Sequence, residues 1–151
     1  MSALKDRLVS GAVEGLAATL VMSGAFLLAQ RAGLIDELPP RLIMERFLPR
    51  ASLRTKRALA TAAHLAYGTG AGAARAVIPL PRRTGIAYAL LVWAASYEGW
   101  VPAAGVLPPA HRDVRSRAGT ILVAHLVFGA ALAAARGIGA RVGPNSRSPR
   151  G

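Results

Sequence analysis

The sequence predicts an all-α integral membrane protein, with four transmembrane helices in an antiparallel bundle, a two-helix internal repeat, and a short interfacial helix between helices one and two. Three observations predict it. Composition is the first: 53% of the 151 residues are apolar and 17% are charged, where about 25% charged is usual for a soluble domain. Mean hydropathy is +0.38. The second is where the 17 Arg and 2 Lys are missing. Residues 8–30, 58–74, 84–111 and 118–135 contain none, and each gap is close to the ~20 residues that cross a bilayer core. The third is repetition: residues 63–75 (AHLAYGTGAGAAR) and 124–136 (AHLVFGAALAAAR) agree at seven of 13 positions, at an offset of 61.

Helix one is expected over 8–30, with Glu14 as its only charge. Its apolar run is too long for a signal-peptide core and no small-x-small cleavage site precedes Arg31, so it is expected to remain as a span. In the long connection 31–57, Pro39 and Pro40 suit a helix start. Leu38, Leu42, Ile43 and Phe47 then fall near one face, which predicts a short amphipathic helix in the interface, ended by Pro49. An ordinary polar loop is equally compatible with that stretch. Helices two, three and four are expected over 58–78, 84–107 and 118–138. The connections between them are short, which makes sequential helices antiparallel neighbours. One domain therefore covers 1–142, and the tail 143–151 is expected to be disordered. Lys and Arg divide nine to ten between the two sides, so the positive-inside rule assigns no orientation.

The repeat makes helices two and four versions of one element, related by an axis along the membrane normal. Arg75 and Arg136 end their apolar runs and are expected at one interface, snorkelling outward. At 1.5 Å per residue, His64 and His125 lie roughly 16 Å deeper, near the middle of a ~30 Å core. By the same rise Glu14 lies roughly 10 Å and Glu98 roughly 21 Å from their flanking Arg. Small residues surround these groups at helical spacing, while Trp93 and Trp100 fall on the opposite face, so the ionisable groups are expected to face inward. The candidate site is thus a deep cluster of His64, Glu98 and His125, with Tyr67 and Tyr97 as hydrogen-bond partners. A candidate ion pair joins Glu14 to Arg75 or Arg136, relieving the cost of a carboxylate in the membrane. Pro102 removes the N–H that would bond the Glu98 carbonyl, and a carbonyl freed beside a buried carboxylate could bind water or a cation if helix three kinks inside the bundle.

A pI near 11.7 suits nucleic-acid binding. Here, however, the Arg separate charge-free segments instead of lining one face of amphipathic helices, so no nucleic-acid partner is expected. The expected partner is a bilayer with anionic headgroups, with a second copy or another membrane protein left open. The chain has no Cys, and no G-x-S-x-G, H-E-x-x-H, Walker A or dinucleotide fingerprint occurs, so it is not expected to be an enzyme. Three readings remain for the deep cluster: interhelical hydrogen bonds in a structural or accessory protein, a relay for proton-coupled or small-solute transport, and haem or metal ligation by the paired His. Two His without an acidic outer shell make a weak site. No metal and no cofactor are assigned.

The motifs PPR at 39–41, HLAYG at 64–68, SYEGWVPAAGVLPP at 96–109 and AHLVFG at 124–129 resemble the YagU-like class of small bacterial inner-membrane proteins. The resemblance covers about residues 10–138. It implies a multi-pass helical protein of the bacterial cytoplasmic membrane and brings no catalytic residues with it.

Overall fold

The computed structural model describes residues 2–78, 80–81 and 84–142, and side chains within 3–135 of that range. The expected tail 143–151 and the Arg136 side chain lie outside the described residues. In chain order the elements are α1 (Ser2–Arg31), α2 (Pro39–Phe47), α3 (Leu53–Val77), α4 (Gly85–Trp93), a π-helical segment (Ala94–Trp100), α5 (Val101–Ala103), a 3-10 turn (Ala110–Arg112) and α6 (Arg115–Val142). Among the described residues every regular element is helical. Local chemistry sets several of the ends. Gly33, at φ 70°, turns the chain after α1. Pro39 and Pro40 open α2. Ser52 caps α3 by accepting the Thr55 N–H at 3.1 Å.

Helix pairing follows the small residues. A Cβ built on Gly11 would stand 2.6 Å from the Gly72 carbonyl oxygen, and one on Gly15 would stand 2.8 Å from Gly72 Cα. Thr19 fills the notch above Gly68. Thus α1 and α3 run antiparallel with their backbones in contact. The pair α4 and α6 crosses in the same manner: a Cβ on Gly129 would lie 2.8 Å from the Gly85 carbonyl, and one on Gly85 would lie 2.9 Å from Ala133 Cβ. Gly68 and Gly129 are separated by the same 61 residues as the sequence match, and so are Gly72 and Ala133. α1 also packs on α6, and α2 lies against α3. Between α3 and α4 the Tyr88 hydroxyl donates to the Ala71 carbonyl at 2.6 Å. Arg7 donates to the Ala76 carbonyl at 2.8 Å, which places a cation at the negative end of the α3 dipole.

Small residues inside leave large ones outside. Ala18, Ala60, Ala89 and Ala124 are buried beside Met22, Phe26, Tyr97 and Phe128. Leu28 and Leu91 are each 65% exposed, Val9 is 63% exposed and Val13 is 62% exposed. Among the described residues two helices, Ala3–Arg31 and Arg115–Ala135, are long and apolar enough to cross a membrane. Only 28% of the apolar window of each is buried within the protein, whereas the core helix of a soluble domain hides most of its apolar surface.

The third expected helix differs from a plain α-helix. It runs from Gly85 to Ala103 through the π-helical segment and stops short of 107. Pro102 has no N–H for the Glu98 carbonyl. Ser96 Oγ bonds back to the Val92 and Trp93 carbonyls at 2.8 and 3.1 Å. The Val101 N–H reaches five residues back to the Ser96 carbonyl. Such a turn holds one extra residue and rotates the residues after it by about 100°. The inward side chains are accordingly Tyr88, Val92, Tyr97 and Val101, with a step of five where the π turn falls. Leu91 points out, and Trp93, expected outward, packs against the core.

If the α1–α3 crossing holds the bundle together, Gly72→Leu destabilises it by roughly 1–3 kcal/mol through overpacking. Gly24 meets nothing within 4 Å, so Gly24→Ala is expected to leave stability unchanged or raise it by up to about 1 kcal/mol. Thermal unfolding of both variants in detergent checks this.

Candidate functional site

A cleft of about 210 Å³ lies inside the bundle, walled by α1, α3, α6 and the π-helical segment and closed on one side by Pro39, Pro40, Ile43 and Met44 of α2. Among the described residues no Asp, Glu, Lys or Arg lines it. His64 on α3 and His125 on α6 both do. His125 Nδ1 lies 2.8 Å from the Ile121 carbonyl oxygen. A carbonyl only accepts, so Nδ1 carries the proton. Ser23 donates its hydroxyl hydrogen to the Thr19 carbonyl at 2.8 Å. Ser23 Oγ therefore accepts from His64 Nδ1, 3.3 Å away. Both neutral rings are thereby held as the Nδ1–H tautomer, with Nε2 as a bare acceptor. Phe26 meets His64 edge-on, with ring centroids 6.2 Å apart.

The remaining expected members of the cluster divide. Tyr67 lines the cleft and is 46% exposed. Tyr97 also lines it, although its hydroxyl is directed to Asp113. Glu98 is not in the cleft. Its carboxylate pairs with His111 Nδ1 at 2.9 Å and accepts the His111 backbone N–H at 3.3 Å. The expectation of Glu98 beside His64 and His125 is corrected here, because the π turn presents Tyr97 inward and leaves Glu98 facing the connection after α5. His111, in the connection after α5, is the partner of Glu98.

Of the expected ion pair Glu14 with Arg75 or Arg136, the Arg136 side chain lies outside the described residues. Glu14 accepts a hydrogen bond from Ser10 at 3.3 Å. Arg75 does not snorkel outward; it is 0% exposed, turned toward the Pro81 carbonyl and Thr84 hydroxyl, with its guanidinium 5.9 Å from the Tyr88 ring centroid. An aromatic face and carbonyls beyond the α3 end hold the cation where helix dipole and quadrupole both favour it.

Asp113 was not legible as a site residue, although an Asp–Arg pair four residues apart at a helix start is a readable signal. Its side chain is fully buried. It accepts from the Tyr97 hydroxyl, from Arg117 Nε at 2.9 and 3.0 Å, and from the Val114 N–H at 2.7 Å. Burial by itself would raise its pKa, but the hydrogen bonds from Arg117, Tyr97 and Val114 outweigh burial and hold it below the ordinary carboxylate value. Asp113 and Glu98 thus fasten the 104–114 connection to the cleft wall.

Beside the cleft is a second, more polar pocket of about 380 Å³, lined by Gln30, Glu37, Arg41, Arg57 and Thr61. Glu37 pairs with Arg41 at 2.6 Å. His64 borders both cavities. Among the described residues no three His, Cys, Asp or Glu come together as a metal-ligand set. An apolar cavity of about 150 Å³ holds one benzene, so a space of about 210 Å³ suits one substituted ring and not a porphyrin. No family model, curated protein or solved structure matches the chain.

Because the folded pKa of Asp113 is depressed, the stability it contributes is present above its ordinary value and is lost as pH falls through the folded value. Asp113→Ala, which strands the Tyr97 hydroxyl and Arg117, is expected to cost about 2 kcal/mol at neutral pH. Acid denaturation followed by circular dichroism should be correspondingly shallower in the variant.

Proposed function

We propose that the chain is a multi-pass integral membrane protein whose α1, α3, α4–α5 run and α6 all cross the bilayer, serving as a structural or accessory component of a bacterial cytoplasmic membrane. The observation that carries this reading is the inverted packing. Leu28 on α1, Leu59 on α3, Leu91 on α4 and Val123 on α6 are all exposed, while the closest helix crossings are made through Gly and Ala. Water would penalise such a surface by about 25 cal/mol per Å², whereas lipid would not. The matching 61-residue offset of the two small-residue crossings supports a two-helix repeat, and the resemblance to YagU-like proteins agrees with this architecture. Basic residues at the helix ends suit anionic headgroups.

The absence of Cys makes single-cysteine topology mapping direct. Asp36→Cys and Ala110→Cys are expected to react with a membrane-impermeant maleimide from one side of the membrane, and Ala3→Cys and Leu80→Cys from the other. Labelling of all four from the same side would overturn the four-span reading.

A second reading is favoured by one observation: His64 separates an apolar cleft from a polar pocket containing Glu37, Arg41 and Arg57. A titratable group between two cavities is the arrangement a proton or small-solute relay needs. In proteoliposomes, His64→Ala is then expected to abolish pH-dependent flux while leaving the unfolding temperature unchanged. If the variant loses stability and the natural chain shows no flux, His64 acts as interhelical glue alone.

A further inference from the structure

The cleft is apolar, and most of the hydrogen-bond donors that line it are already used within the protein. Four hydroxyl side chains line it, and three are already donating elsewhere: Thr19 to the Gly15 carbonyl at 2.7 Å, Ser96 to the Val92 carbonyl at 2.8 Å, and Tyr97 to Asp113. The other lining donors, the Tyr67 hydroxyl and the Trp100 indole N–H, belong to side chains 46% and 41% exposed. His64 and His125, by contrast, each use Nδ1–H within the protein and keep Nε2 as a bare lone pair.

We propose that this cleft binds an uncharged para-diphenol ring, each hydroxyl donating to the Nε2 of one histidine. Three features select that class. Among the described residues no charged side chain lines the cleft, so an ion would be desolvated without compensation. The volume of about 210 Å³ fits one ring with small substituents, since about 150 Å³ holds benzene. Phe26, Tyr67, Trp100 and Phe128 supply aromatic surface for stacking or edge contacts. The polarity of the hydrogen bonds then discriminates between redox forms of such a ring. A diphenol donates two hydrogens to two acceptors, whereas the corresponding quinone turns oxygen lone pairs toward nitrogen lone pairs and leaves all four unpaired. The site goes beyond the membrane reading and does not depend on it.

The test is calorimetric titration of the full chain in detergent with 2,3-dimethylhydroquinone kept reduced by ascorbate, set against its O,O′-dimethyl ether and, without ascorbate, its quinone. The diphenol is expected to bind saturably at one per chain, with the ether and the quinone at least about tenfold weaker, the scale of one or more lost hydrogen bonds in a dry site. His125→Phe and His64→Phe keep a ring in place and remove an acceptor. Each is expected to weaken the diphenol about tenfold while leaving the ether unchanged. Equal affinity for all three probes, or no saturable binding of the diphenol, would overturn the proposal, and that comparison on the natural chain decides the matter even where a variant fails to fold.

Discussion

Backbone contact between α1 and α3 at Gly11, Gly15, Gly68 and Gly72 is the constraint on which the remaining architecture depends. Where two helices touch through glycine, dispersion contact between backbones replaces interdigitation of large side chains. Large apolar residues of those helices such as Val9, Val13, Leu28 and Leu59 then lie on the outside. α4 and α6 repeat the arrangement through Gly85, Ala89, Gly129 and Ala133. Two tight pairs joined through α1 and α6, and touching at Tyr88, leave room between them. That room is the cleft.

The chemistry of the cleft depends on small local decisions. Thr19 and Ser23 bond back to carbonyls four residues earlier on α1, which uses their hydrogens and dictates how Ser23 meets His64. His125 satisfies a carbonyl of its own helix. Three of these are local hydrogen bonds on a single helix and the fourth joins α3 to α1; together they use Nδ1–H of both histidines that line the apolar space and leave Nε2 of each as an acceptor. Such polarity selects a ligand by the hydrogens it donates, because an unmatched polar atom in a dry site costs more than a matched one gains.

The π-helical segment links this interior to the connection after α5. Its extra residue turns Tyr97 inward, where the ring lines the cleft and the hydroxyl meets Asp113, and turns Glu98 toward His111. Two consecutive residues thereby fasten residues 104–114 on either side of the helix end. Pro102 and the back-bonding hydroxyl of Ser96 are the covalent causes, since each competes with the α-helical bond that would otherwise form.

The gaps between Arg residues were enough to locate four long helices, and Pro39–Pro40 enough to open α2, because charge segregation and proline stereochemistry act over a few residues and need no tertiary contact. The sequence match at an offset of 61 likewise marked both histidines and residues of both small-residue crossings. Facing directions were a different matter. Extrapolating 100° per residue placed Glu98 inward and Trp93 outward; a π turn, whose formation depends on how Ser96, Tyr97 and Pro102 are accommodated together, reversed both. Arg75 looked like an interfacial charge and is buried, because Tyr88 and the Pro81 carbonyl come from a segment whose fold-back no local pattern announces. Composition and periodicity determined that this protein is helical, apolar outside and basic at its helix ends. Only the tertiary packing decided which polar atoms meet, since hydrogen-bond pairing depends on ångström-scale register that a spacing rule carries with an error of one residue.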